Sequence, residues 1–213
     1  MGEAQAHVKS GPIGSRVTFI QADPRDYLRN LPSPPPRAYT FDTAVLSHSI
    51  WYFSSPSVLS ETIVELAKHT RRICIAEYAL TASKLSAIPH VLATLTEASL
   101  ECRKENSKSN IRTILSPAEI TKIVLESSSN GLKVVKERVE TPKDLEDGFW
   151  EVGLVKSEKF NDEIEGLMVE EKEKAVVRAL RDSTVNNLAL LKSSGGKVTT
   201  MDVWAAVFTS EAT

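Results

Sequence analysis

The sequence contains little cysteine and no long apolar run, and each absence excludes a class of protein. Its two cysteines, Cys74 and Cys102, are 28 residues apart and form no CxxC pair, which argues against a disulfide scaffold. No stretch approaches the roughly 18 apolar residues that cross a bilayer, and the first residues lack the apolar segment of a secretory signal. We therefore expect two reduced thiols, no membrane association and, by default, a cytoplasmic location.

The sequence also lacks a large excess of positive or negative charge, and it lacks the short motifs of several enzyme classes. The 26 lysines and arginines nearly balance the 28 aspartates and glutamates, giving a formal net charge of −2, so no nucleic-acid partner is expected. The sequence has no GxSxG, HExxH or Walker A motif and no Cys/His cluster. The corresponding hydrolase, zinc and nucleotide sites are therefore not indicated, and we expect no metal.

The order of predicted elements indicates an α/β fold. Three apolar runs that do not alternate predict strands buried on both faces of a parallel sheet, at Val17–Ile20, Phe41–Leu46 and Arg72–Ala76. Ser55 before Pro56 predicts one helix start, and the capping box at 116–119 predicts another. Further strands are predicted over 132–139 and 202–208, and one long helix over about 162–192 precedes the last strand.

Several of these segments resemble class I S-adenosylmethionine-dependent methyltransferases. VTFIQADPRDYL is similar to the third strand of that family and its following loop, and FDTAVLSHSIWYF to the fourth strand and its loop. SPSVLSETIVELAKHTRRICIAEY is similar to the next helix and the fifth strand. The stretches PIGSRVTFIQADPRDYL, LSHSIWYF, LEDGFWEV and MDVWAAVF are similar to uncharacterised fungal methyltransferase-like proteins.

The resemblance implies a Rossmann-like sheet flanked by helices, within a single partial domain spanning residues 1–213. A helical excursion at about 145–193 precedes the last strand, and Trp150 and Glu151 are predicted to anchor it as a lid or packing element. The family begins with a strand, a GxGxG-type loop, a helix and a second strand ending in an acidic residue. None of these is found, so we expect an N-terminally truncated form of the fold. Val17–Ile20 then either pairs directly with Phe41–Leu46 or leaves unpaired edge groups.

In open parallel sheets, ligands bind beyond the carboxyl ends of the strands. The resemblance implies that Asp23 accepts a hydrogen bond from the adenine amino group of the cofactor, S-adenosyl-L-methionine. The alternative is that Asp23 only starts a turn before Pro24. The full set of predicted cofactor-binding residues is Ala22, Asp23, Pro24, Ser47, His48 and Ser49.

The same rule places candidate catalytic and substrate residues after the next two strands. His48 is the candidate base, because histidine titrates near working pH; the alternative is a histidine that hydrogen-bonds its own loop. Trp51 and Tyr52 are candidate walls of an aromatic or cationic substrate pocket, or else core residues. Glu77 and Tyr78 are candidate substrate contacts, with Glu77 orienting an amine acceptor, or else a solvated carboxylate at a strand end.

The function indicated is methyl transfer from S-adenosyl-L-methionine to a small-molecule acceptor that the sequence does not identify. Three alternatives stay open. The chain is a non-catalytic methyltransferase-like binding or scaffold protein, or a truncated gene product, or one half of a site that another chain completes. The sequence does not indicate an oligomeric state.

Overall fold

The structure, a computed structural model, describes residues 2–34, 38–107, 109–127 and 131–210, and the chain divides into two compact units at Pro32. The first unit contains helix α1 (Glu3–Ser10), a short 3-10 turn (Gly14–Arg16) and helix α2 (Pro24–Arg29). Residues 17–22 form no strand, and Phe19 and Ile20 are 38% and 53% exposed. The predicted strand Val17–Ile20 is therefore wrong. An extended run becomes a strand only where a neighbouring backbone takes its hydrogen bonds, and this unit provides none in its described part.

The second unit alternates strands and helices. Its elements are β1 (Phe41–Ser47), α3 (Pro56–His69), β2 (Thr70–Tyr78), α4 (Ile88–Glu101), α5 (Pro117–Ser127), β3 (Leu132–Glu140), α6 (Asp147–Lys156), α7 (Glu158–Glu165), α8 (Glu171–Ser193) and β4 (Val203–Ser210).

Within the described residues, four strands form one mixed sheet in the order β1-β2-β4-β3. Strands β1 and β2 are parallel, with Val45 opposite Cys74. Strand β4 is antiparallel to both of its neighbours and places Val207 opposite Cys74. The sheet is therefore not wholly parallel, but its β1–β2 pair keeps the parallel arrangement whose carboxyl ends meet at one edge.

The two predicted helix starts are confirmed by their capping contacts. The Ser55 hydroxyl accepts a hydrogen bond from the Val58 amide at 3.3 Å, and Pro56 occupies the first turn of α3. At α5, the Ser116 amide donates to the Glu119 carboxylate at 3.0 Å, and the Glu119 amide donates back to the Ser116 hydroxyl at 3.3 Å. These contacts satisfy amides that have no partner within the helix.

The predicted single helix over 162–192 is wrong, because two helices occupy that region. Helix α7 ends at Glu165 and α8 begins at Glu171. Leu167 between them is buried, and Glu170 has an extended backbone. Arg178 on α8 reaches back across the break to the Glu165 carboxylate at 2.7 Å. The apolar spacing continues through the break, so spacing alone does not reveal it.

Two apolar clusters hold the second unit together. One lies between the sheet and α3 and α5, and includes the fully buried Ile63, Ile73 and Phe208. The other lies among α4, α6, α7 and α8, and includes Phe160 and Ile164. Each such side chain stabilises the fold by roughly 1.5–3 kcal/mol.

The opposite face of the sheet is more open. Val45 is 69% exposed and, together with Cys74 and Val207, lines a groove of about 290 Å³. The expectation that Phe41–Leu46 is buried on both faces is therefore wrong.

Candidate functional site

A cavity of about 280 Å³ lies where the parallel strands β1 and β2 end. It brings together five residues predicted from the sequence: His48, Trp51, Tyr52, Glu77 and Tyr78. Ser47 lines the groove on the other sheet face instead, and Ser49 precedes a short 3-10 turn at Ile50–Tyr52.

His48 leaves β1 with a left-handed backbone. Its amide donates to the Ala76 carbonyl at 2.8 Å, which extends the β1–β2 ladder by one residue, and its φ is 45°. Few residues other than glycine adopt this conformation, although histidine, asparagine and aspartate do so more often than most. Such strain is commonly found at functional sites, and here it turns the imidazole into the cavity at the end of β1.

Glu77 is the buried acceptor that organises this strand end. The residue is 2% exposed, and its carboxylate accepts hydrogen bonds from the amides of Ile50 and Tyr78, each at 3.0 Å. The alternative that Glu77 is a solvated carboxylate is therefore wrong. Because the carboxylate holds the amide of Ile50, it also fixes the turn that follows His48.

Glu77 and His48 form a close pair. Nδ1 of His48 lies 3.4 Å from Oε1 of Glu77, and within the described residues this buried nitrogen has no hydrogen bond of normal geometry. The Glu77 carboxylate raises the pKa of His48 above 6.5, and this effect outweighs burial, which lowers the pKa. Asp147 raises it further. Catalytic hydrogen bonds are often long before substrate binds, and this pair fits that pattern.

Aromatic rings form the floor of the cavity. The ring centroid of Tyr78 lies 4.5 Å from that of His48 and 5.7 Å from that of Trp51. Trp51 is buried, and its indole nitrogen donates to the Leu115 carbonyl at 3.0 Å, so it is a core residue as well as a wall. Tyr52 is 49% exposed at the same cavity.

The loop after β2 is held in place by hydrogen bonds to Asp202, the residue before β4. The buried Asp202 accepts hydrogen bonds at one carboxylate oxygen from the amide and hydroxyl of Ser83, each at 2.8 Å, and from the Thr81 hydroxyl at 3.2 Å. Its other oxygen accepts from Thr141 at 2.9 Å. Leu80 in this loop has a φ of 56°, an outlier for a bulky side chain. We attribute the persistence of this strained residue to the hydrogen bonds that surround it.

Helix α6 supplies two site residues that the sequence analysis missed, Asp147 and Glu151. Fully buried His90 accepts a hydrogen bond at Nδ1 from the Met201 amide at 2.9 Å, which leaves the ring proton on Nε2. Nε2 then donates to Oε2 of Glu151 at 3.0 Å, and the Thr94 hydroxyl donates to the same oxygen at 2.6 Å. Asp147 and Glu151 are four residues apart and therefore share one face of the helix, which was a usable signal in the sequence.

Asp147 acts on the cavity through its charge. Burial raises the pKa of Tyr78 most strongly, and Asp147 and Glu151 raise it further. The Tyr78 phenol therefore stays protonated and can donate a hydrogen bond. The predicted anchor Trp150 is instead 67% exposed, so the prediction that it anchors the helical excursion is wrong. Glu151, the neighbouring residue, makes the inward contacts.

Gly148 allows α6 to approach the core closely. A Cβ atom at this position would lie 2.7 Å from the Thr199 carbonyl oxygen and 3.2 Å from Cβ of His90. The Gly148 amide donates to the Thr200 hydroxyl at 3.3 Å. A glycine is therefore required for Asp147 and Glu151 to reach the cavity.

We predict that Gly148→Ala destabilises the protein by roughly 1–3 kcal/mol, because backbone atoms of residue 199 must move. Gly153→Ala in the same helix is the matched control, since its Cβ would meet nothing within 4 Å. That substitution should be neutral or should stabilise by up to about 1 kcal/mol. Urea unfolding of both variants measures the difference, and equal effects would show that the close approach is not required.

Ala22, Asp23 and Pro24 lie in the first unit, where Asp23 caps α2. Its carboxylate accepts from the Arg25 amide at 2.8 Å and pairs with the Arg25 guanidinium at 2.8 Å, which lowers the pKa of Asp23 to about 2. The turn-starting role is therefore present. The role in adenine binding stays a prediction.

Two further expectations concern metals and membranes. Across residues 2–34, 38–107, 109–127 and 131–210, no group of three or more His, Cys, Asp or Glu side chains is arranged to hold a metal ion. Within those same ranges, no helix combines the length and apolar character needed to span a bilayer.

Comparison with known proteins bears on the fold and the family. No protein-family model matches the chain. Methyltransferase phomM and methyltransferase phomM' of Diaporthe leptostromiformis, a fungus, are each 26% identical to it over 239 residues. The alignments cover 97% of this chain and 60% of each relative, so the chain spans about three-fifths of their length. The resemblance to class I methyltransferases is confirmed.

The fold has an independent match among solved structures. The crystal structure of a cyclopropane-fatty-acyl-phospholipid synthase-like protein from Lactobacillus casei ATCC 334 superposes with a TM-score of 0.73 at 22% identity. The match covers 96% of this chain and 67% of that one. This similarity shows the fold alone, which is an α/β, Rossmann-like sheet flanked by helices.

Proposed function

We propose that the chain is part of an S-adenosylmethionine-dependent methyltransferase that transfers a methyl group to a small-molecule acceptor. The names of the two fungal relatives support the reaction class. The observation that carries the proposal is the cavity beyond β1 and β2, in which a buried carboxylate, Glu77, faces the His48 imidazole and raises its pKa. Ligand sites in such sheets lie at this edge.

The residues of the cavity suit the cofactor's charge. S-adenosyl-L-methionine carries a cationic sulfonium sulfur, and the cavity at the ends of β1 and β2 is lined by the rings of Trp51 and Tyr78 and by the Glu77 carboxylate. Aromatic faces and carboxylates both favour a cation. We propose that His48 and Ser49, at the end of β1, contact the methionine end of the cofactor; Ser47 is left out, because it lines the groove on the other face of the sheet. When bound, the cofactor would supply an electrophilic methyl group.

The chain's own contribution is positioning and proton transfer. Nδ1 of His48 faces Glu77, so Nε2 is the nitrogen that accepts a proton from the methyl acceptor. Glu77 then stabilises the imidazolium that forms. Tyr78 stays protonated, because burial and the nearby carboxylates raise its pKa, and its ring forms part of the wall against which the acceptor packs. Holding the acceptor in line supplies most of the remaining rate.

Calorimetric titration with S-adenosylhomocysteine, the cofactor product, tests the cofactor assignment. We expect roughly micromolar binding, and Asp23→Ala should weaken it if Asp23 contacts adenine. Asp26→Ala is the matched control, because this exposed carboxylate lies in the first turn of the helix that Asp23 caps and has no predicted ligand contact. No heat of binding from a folded sample would contradict the proposal and favour a non-catalytic binding or scaffold role.

A further inference from the structure

The cavity has an acidic wall that methyl transfer does not itself require. Asp147 and Glu151 lie one helical turn apart on α6, and both line the cavity. With Glu77, three carboxylates surround a space of about 280 Å³. No lysine or arginine of the described residues lines this space, so His48 is the one lining residue there that can carry a positive charge.

Glu151 is held in place by buried groups. Both donors described above, Nε2 of His90 and the Thr94 hydroxyl, use Oε2, and both donating residues are 0% exposed. Burying these polar groups is costly unless each is hydrogen-bonded. The arrangement fixes the direction of one carboxylate while the side chain keeps 22% of its surface exposed. This is the geometry expected of a carboxylate that meets a ligand.

The aromatic lining points to the same ligand chemistry. The Tyr78 ring lies between His48 and His90, with centroid distances of 4.5 Å and 5.2 Å. Trp51 and Tyr52 line the same space. Aromatic faces attract alkylammonium groups, and adjacent carboxylates strengthen that attraction.

We propose that Asp147 and Glu151 recognise the methyl acceptor as a protonated amine. The inference rests on the proposed function, because it assigns the acceptor class of the same site. The amine binds as an ammonium ion between the carboxylates and the aromatic rings. It becomes nucleophilic only after it passes one proton to Nε2 of His48, and that step needs no reactant beyond the enzyme and the amine.

A pair of isosteric probes tests the assignment without a cofactor. 2-Phenylethylamine is a cation at neutral pH, and 2-phenylethanol is its neutral counterpart. Binding of each is followed by ligand-observed NMR. We expect the amine to bind at least about tenfold more tightly than the alcohol, and Asp147→Asn and Glu151→Gln each to reduce that preference about fivefold. Glu146→Gln is the matched control, because it removes the same charge from a residue outside this cavity.

The acidic wall has a competing use, recognition of the sulfonium group. The ratio of affinities for S-adenosylmethionine and for neutral S-adenosylhomocysteine separates the two uses. We expect Asp147→Asn and Glu151→Gln to leave that ratio unchanged; a loss of the ratio with no change in amine preference would overturn the proposal. Equal binding of amine and alcohol, or no detectable amine binding by folded protein, would also overturn it. Amine selectivity in a chain that binds neither cofactor form would instead support the ammonium site and contradict the proposed methyl transfer.

Discussion

Replacing His48 with asparagine is expected to lower the rate of methyl transfer by about 10²- to 10⁴-fold, the usual contribution of a general base. Asparagine tolerates the left-handed backbone that residue 48 adopts, so the substitution removes the titrating ring and keeps the turn. The rate is measured with an amine that binds the cavity. A variant that transfers methyl groups at the normal rate would assign His48 a structural role only.

The pH dependence of the same reaction reports the direction in which Glu77 shifts the pKa of His48. The pKa of His48 is raised above 6.5, and the ring must be neutral to accept a proton. The rate should therefore increase as pH rises through that raised pKa. This rising limb of the pH–rate profile should be absent in His48→Asn. Glu77→Gln removes the principal cause of the raised pKa, so the limb should move to lower pH.

The His48 titration can also be followed without turnover. Proton NMR of the ring reports its pKa directly in the native protein and in Glu77→Gln. Since the folded-state pKa is raised, the pair stabilises the fold fully below about 6.5, and this stabilisation is lost as pH rises through the folded-state value. A His48 pKa that does not fall in Glu77→Gln would contradict the pairing.

Asp202→Asn is expected to destabilise the protein by roughly 2–4 kcal/mol. The carboxylate accepts four hydrogen bonds, from the Ser83 amide and from the hydroxyls of Ser83, Thr81 and Thr141. In asparagine an NH2 group replaces one carboxylate oxygen. This group is itself a donor, so it cannot accept the hydrogen bond of at least one of these partners. Urea unfolding at pH 7 measures the loss. Thr141→Val, which removes one donor, should cost only about 1 kcal/mol.

The pH dependence of stability provides a second measurement on Asp202. Burial alone raises its pKa, but the hydrogen bonds from Ser83, Thr141 and Thr81 outweigh burial and lower it below 3.8. Its stabilising contribution is therefore present above about pH 3.8 and is lost as pH falls through the folded-state pKa. The difference in unfolding free energy between native protein and Asp202→Asn should shrink in acid. A difference that does not depend on pH would contradict the lowered pKa.

Local chemistry in the sequence predicts part of the fold. Ser55 with Pro56, and Ser116 with Glu119, predict helix starts because each cap satisfies amides only three residues away. Val17–Ile20 fails as a predicted strand because strand formation depends on a distant partner. The helix predicted over 162–192 fails because the break at 166–170 is stabilised by tertiary contacts, including Arg178 with Glu165.

The candidate site divides in the same way. His48 and Glu77 are predictable because each lies at the carboxyl end of an apolar run, and parallel strands end at one edge of the sheet. The wall on α6 is predictable only in part. The four-residue spacing places Asp147 and Glu151 on one helical face, but the position of that face at the cavity depends on the contact of Glu151 with His90, 61 residues earlier in the sequence, and on the close approach at Gly148. Neither contact leaves a periodic signal in the sequence.

The most direct test of the central claim, that the ends of β1 and β2 form a cofactor and acceptor site, is hydrogen–deuterium exchange with and without saturating S-adenosylhomocysteine. We predict slower exchange at residues 47–53 and 77–83, and unchanged exchange in the solvent-facing turns of α8. Protection confined to other segments, or none at a concentration that saturates the calorimetric signal, would contradict the assignment of this cavity.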